Sequence, residues 1–132
     1  RQIGRPLQGP SCPMTRVVAF SAANGEPRLV TTGDDYIVRV WDPGNGRQLG
    51  RLSSGEENLC DVVLVGTNRE GRTRLVTSGL DRSIRFWDIA TGRMTYAMHA
   101  LDYTETIMSL RYGDLAVSLN DGWALLRLPL GV

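Results

Sequence analysis

The groups in this chain that could do acid–base, thiol or metal chemistry are few. Among 132 residues there is one histidine, His99, two cysteines, Cys12 and Cys60, five glutamates and nine aspartates. A serine or cysteine nucleophile needs a base within hydrogen-bond reach, and no nucleophile elbow accompanies His99. Glu56 and Glu57 are adjacent, so on an extended chain they point to opposite faces and form no acid–base pair. No His, Cys or carboxylate groups cluster at metal-ligand spacing. Two cysteines make no disulfide framework and are expected to be small, reduced apolar residues. All fifteen basic residues are arginine, which removes Schiff-base chemistry and the phosphate-binding lysine together. "GNGR" at 44–47 looks like a phosphate loop, but it follows a strand in a hairpin and precedes no helix. The expectation is a protein without catalytic residues, metal or cofactor.

Bulk properties narrow the partners. A hydrophobic fraction of 42% and a charged fraction of 22% are those of a globular domain with a core. A net charge of +1 gives no electrostatic case for nucleic acid or an anionic membrane. No apolar run reaches the roughly 18 residues of a membrane span, and no leader pattern is visible. A cytoplasmic location is expected.

What places the aspartates is a repeat. "TGDDYIVRVWDPGNGR" at 32–47 returns as "SGLDRSIRFWDIATGR" at 78–93, each position offset by 46. The match extends upstream, where "GEPRLVTTG" at 25–33 pairs with "GRTRLVTSG" at 71–79. A worn third copy, "DLAVSLNDGWALLRL" at 114–128, aligns Ser118 with Ser78 and Asp121 with Asp81 at an offset of 40. On that fixed offset Arg127 and Leu128 stand where the Trp–Asp pair should be. A period of this size marks a repeat architecture. Within each unit, short alternating segments are separated by Asn–Gly and Asp–Asp turns, and nothing shows helical periodicity. The chain is expected to be all-β with about twelve strands.

These residues resemble the WD-repeat β-propellers. The strand ending "VTTG" or "VTSG", the Asp turn, and then "VRVWD" or "IRFWD" carry the resemblance over roughly residues 4–128. It implies three four-stranded antiparallel blades, with sequence units at about 4–42, 43–88 and 89–128. The motif residues are Asp35, Trp41 and Asp42 in the first unit, Asp81, Trp87 and Asp88 in the second, and Asp121 in the third. Val38, Val40, Ile84 and Phe86 should pack between neighbouring sheets, with Trp41 and Trp87 sealing the space. Members of the family often join a Gly–His pair to the Asp, a Ser or Thr and the Trp in one hydrogen-bonded network. Here the matching places read Gly55–Glu56, Pro10–Ser11 and Ala100–Leu101, so the histidine is missing. Arg28, Arg39, Arg74 and Arg85 recur at matching positions and are expected on blade surfaces.

The implied function is a non-catalytic protein–protein interaction scaffold with a regulatory or assembly role. The alternative is a set of structural blades within a larger enzyme or signalling or sensor protein. Partners of such propellers usually dock on the loop face, which here would carry Asp34, Tyr36, Leu80, Arg82 and Trp123. A second use of Trp123 is to fill the gap left by the missing Trp at 127. Three blades do not close a ring, since propellers typically have four to eight. The remainder is expected from a longer chain, from other copies or from a different chain. "GRPL" at 4–7 reads as an outer strand without a blade, and the last unit has no outer strand of its own. Two copies joined head to tail would give a six-bladed homodimer.

Overall fold

The computed structural model describes residues 14–35, 37–52, 59–67, 72–79, 81–100, 104–109, 114–119 and 122–129, with 59–67 and 104–109 described mainly by their backbone. Tyr36, Leu80, Asp121 and the expected outer strand at 4–7 lie outside these residues. Among the described residues are eleven strands in three antiparallel sheets. The first sheet is β1 (Met14–Ser21), β2 (Pro27–Gly33), β3 (Val38–Asp42) and β4 (Arg47–Leu52), paired in chain order. The second is β5 (Leu59–Thr67), β6 (Thr73–Gly79), β7 (Ser83–Asp88) and β8 (Arg93–His99). The third is β9 (Thr104–Ser109), β10 (Leu115–Leu119) and β11 (Gly122–Leu126), three strands among the described residues where four are expected. β5 lies against both β1 and β9, so the first strands of the three sheets run side by side.

The Trp–Asp ending of each third strand has a local cause. The Gly46 N–H donates to the Asp42 carbonyl at 2.9 Å, and the Gly92 N–H to the Asp88 carbonyl at 2.8 Å. Both glycines sit in the left-handed region, with φ of 73° and 68°, where a β-carbon is strained. The aspartate side chain then closes the turn. Asp42 Oδ1 accepts the Gly44 N–H at 2.8 Å, and Asp88 Oδ1 accepts those of Ala90 at 2.8 Å and Thr91 at 3.3 Å. Asp followed four residues later by Gly is therefore one tight hairpin written twice.

The core is divided between the sheets. Val30, Val38 and Leu52 of the first sheet pack on Leu75 and Trp87 of the second. Val76, Ile84 and Phe86 leave the opposite face of the second sheet and pack on Ile107, Leu115 and Val117 of the third. The period-2 alternation of β6 and β7 thus buries both faces of the middle sheet. Each large side chain so buried contributes about 1.5–3 kcal/mol.

The third unit departs from its expected alignment by one residue. Ser78 pairs with Ile84, six positions on (84 − 78), whereas Ser118 pairs with Trp123, five positions on (123 − 118). The shorter hairpin changes the offset to 39 beyond the turn. Leu126, opposite Leu115, therefore stands where Trp87 stands opposite Leu75. The Trp–Asp position is filled by Leu126 and Arg127, not by Arg127 and Leu128. Trp123 lies in β11 rather than in a turn, at the place of Ile84, and Leu125 is at the place of Phe86. Trp123 does not fill the missing tryptophan's gap, because consecutive pairs alternate faces and it points away from Leu126.

Candidate functional site

Where the family resemblance implies a histidine network, the first two sheets build something else. The Trp41 Nε1–H donates to Thr31 Oγ1 at 2.8 Å and the Trp87 Nε1–H to Thr77 Oγ1 at 3.0 Å, all four residues being buried. The turn aspartates find arginine. Arg39 grips Asp35 through two bonds of 3.2 and 2.7 Å, and Arg85 holds Asp81 Oδ2 at 2.7 Å. Asp35 Oδ1 also accepts the Ile37 N–H at 3.2 Å, and Asp81 Oδ1 the Ser83 N–H at 3.0 Å. The Ser83 hydroxyl lies between Asp81 and Arg85, bonded to both.

These arginines were expected on blade surfaces, and the structure corrects that. Arg39, Arg74 and Arg85 are buried, with Arg74 over the Phe86 ring at 5.5 Å from its centroid. Arg28 is the exception in kind, half-buried and bonded to Glu26 Oε2 at 2.6 Å. The sequence signal for the buried pairs is an Asp four residues before each arginine of β3 and β7. A guanidinium can be buried there because a carboxylate waits for it in the preceding turn.

Burial opposes charge on Asp81, but its bonds to Arg85 and Ser83 outweigh it and hold the carboxyl at about 2, against 3.8 ordinarily. Because the folded value is the lower one, the stabilisation is complete above the unfolded value and is lost as pH falls through about 4 towards 2. Urea midpoints should therefore drop over that window. Asp81→Asn should cost about 1.5–3 kcal/mol at neutral pH and flatten the acid limb. An unchanged acid limb in this variant would remove Asp81 from that account.

Of the residues expected to bind partners, Asp34 and Arg82 occupy the β2–β3 and β6–β7 turns and are exposed. These are matching turns of adjacent sheets, so both sit at the same end of the molecule. Arg82 has a φ of 63°, unusual for a residue with a side chain. Its carbonyl accepts the Ala100 N–H at 2.8 Å, which ties the turn to the end of β8. Trp123 is apart from this end. It is 72% exposed on the sheet face of β11, with Leu125 61% exposed beside it. No group of three metal-ligating side chains occurs among the described residues.

No family model and no curated protein matches the chain in sequence. Solved structures do match it. The backbone superposes on the WD40 β-propeller domain of Doa1 with a TM-score of 0.63 and 15% identity, covering 85% of this chain and 35% of that one. It superposes on the WD40 repeats of RRP9 with a TM-score of 0.64 and 16% identity, covering 86% of this chain and 34% of that one. The chain spans about a third of the length of either structure. Its three sheets are consecutive blades of a β-propeller, and the fold is that of WD40 domains.

Proposed function

We propose that the chain is a non-catalytic scaffold for protein interaction, acting in the cytoplasm in a regulatory or assembly role. The observation that carries this is the outer face of the third blade. Trp123 and Leu125 stand at the places that Ile84 and Phe86 hold in the second blade, where the next blade covers them. A face patterned for burial and exposed over two large apolar side chains calls for another protein surface. Further blades fit it best, supplied by a longer chain, by a different chain or by a second copy in a six-bladed dimer.

Partner docking falls to the turn end, through Asp34 and Arg82 together with Tyr36 and Leu80. Changing Tyr36, Leu80 and Arg82 to Ala should abolish capture of bound proteins from an extract of the source cells while leaving the circular dichroism spectrum intact. An unchanged set of captured proteins would remove this end of the blades from the proposal.

A further inference from the structure

Aligning the first two blades residue by residue exposes one position at which they differ in bulk. In the second blade Phe86 pairs across the strands with Tyr96, their ring centroids 5.8 Å apart. In the first blade the same pair is Val40 and Gly50. Two aromatic rings are missing, and beside this place a groove of about 950 Å³ opens between the first blade and the second. Its apolar floor is Phe20, Val40, Leu52 and Ile89, all packed on or part of the core shared by these blades. Leu49, 49% exposed, stands at its lip. A volume of this size is within the range of ligand sites, roughly 300–1,000 Å³.

The charged residues around the groove favour one sign. Among the described residues Arg28, Arg51 and Arg72 line it, and Asp88 is the one carboxylate that does. The Asp88 Oδ1 is engaged by the Ala90 and Thr91 N–H groups. Glu26 stands next to the groove and is bonded to Arg28, which holds its carboxyl below the ordinary range. An apolar floor with arginines at its border suits a ligand that carries a ring and carboxylates together.

We propose that the groove between the first and second blades is a docking site for an acidic segment of a partner protein, in which an aromatic side chain takes the place that the Tyr96 ring fills in the second blade. The proposal deepens the scaffold reading, at a site separate from both the turn end and the third blade's face. Burying one such ring contributes about 1.5–3 kcal/mol, and carboxylates on the arginines set direction and sign.

Fluorescence anisotropy with labelled nine-residue peptides tests it on the intact chain. The probe carries a central tyrosine flanked by aspartate and glutamate; one control replaces the tyrosine by alanine, and another replaces the acids by lysine. The acidic aromatic peptide should bind at least about tenfold more tightly than either control. Gly50→Tyr should weaken it by about tenfold or more by refilling the groove. A side chain is sterically free to enter there, since no atom lies within 4 Å of a β-carbon built on Gly50. Arg51→Glu, at an exposed position on the groove's border, should weaken the acidic peptide and strengthen the lysine one. Equal binding of all three peptides, no binding, or an affinity unmoved by both variants would overturn the docking site. The turn-end docking site of the scaffold reading fails separately, by unchanged capture in the turn-end variant.

Discussion

Trp87→Ala is expected to lower the unfolding free energy by about 3–5 kcal/mol, the range for losing a large buried aromatic and leaving a cavity. The Trp87 ring is 1% exposed and packs among Val30, Val38, Leu52 and Leu75, so it belongs to the joint between two blades as well as to its own sheet. Its indole N–H also satisfies a buried threonine hydroxyl, and truncation leaves Thr77 Oγ1 without that donor. Domains of this size are typically stable by about 5–15 kcal/mol, so the change takes a large share of the total. Should the alanine variant not fold, Trp87→Phe keeps most of the packing and loses the N–H bond. Combined with Thr77→Val it forms a double-mutant cycle in urea. The cycle should give a coupling of about 0.5–1.5 kcal/mol. An alanine variant destabilised by less than about 1 kcal/mol would mean that the tryptophan does not hold the blades together.

The second large effect concerns the open face. Light scattering at micromolar concentration should find the chain as a dimer or larger, in multiples of its 14.6 kDa mass. Trp123→Glu combined with Leu125→Glu should return it to a monomer with the same circular dichroism spectrum. Both residues are more than half exposed, so the charges cost the folded monomer little, while in an interface each would be buried without a partner. A soluble wild-type monomer at 14.6 kDa would show that this face needs no cover. A multimer unaffected by the double change would place self-association elsewhere.

Much of the architecture is legible in the residues themselves. The 46-residue offset, the Asn–Gly and Asp–Asp turns and the alternating apolar residues of β3 and β7, Val38, Val40, Ile84 and Phe86, follow from local chemistry that the alphabet of residues carries openly. The third unit was harder, because a sequence alignment at constant offset cannot see that one turn has lost a residue. In a sheet that single residue exchanges inward and outward faces, which is why Trp123 and Arg127 were misplaced. The burial of the arginines is hidden in the sequence for another reason. Charge ordinarily implies exposure, and only the carboxylate four positions earlier makes burial affordable for Arg39 and Arg85. The groove was present in the sequence as Val40 and Gly50 set against Phe86 and Tyr96. It acquired meaning only once strand pairing showed that those residues face one another. Tyr36, Leu80 and Asp121 belong to the expected sites and fall outside the described residues.

One small contact bears on how such a chain assembles. Arg74 pairs in register with Asp88, and the first unit has Arg28 and Asp42 at the corresponding places. In the third blade the polarity is exchanged, with Asp114 just before β10 and Arg127 just beyond β11, 3.6 Å apart. Near-identical strands invite mispairing while the chain folds, a recurrent fault of repeat proteins. If β10 took β7 as its neighbour, Asp114 would meet Asp88. If β6 took β11, Arg74 would meet Arg127. Like charges set directly opposite disfavour both errors. The exchanged pair thus biases β11 towards its own blade and away from the one before, by the small margin of about 0–1 kcal/mol that an exposed ion pair carries.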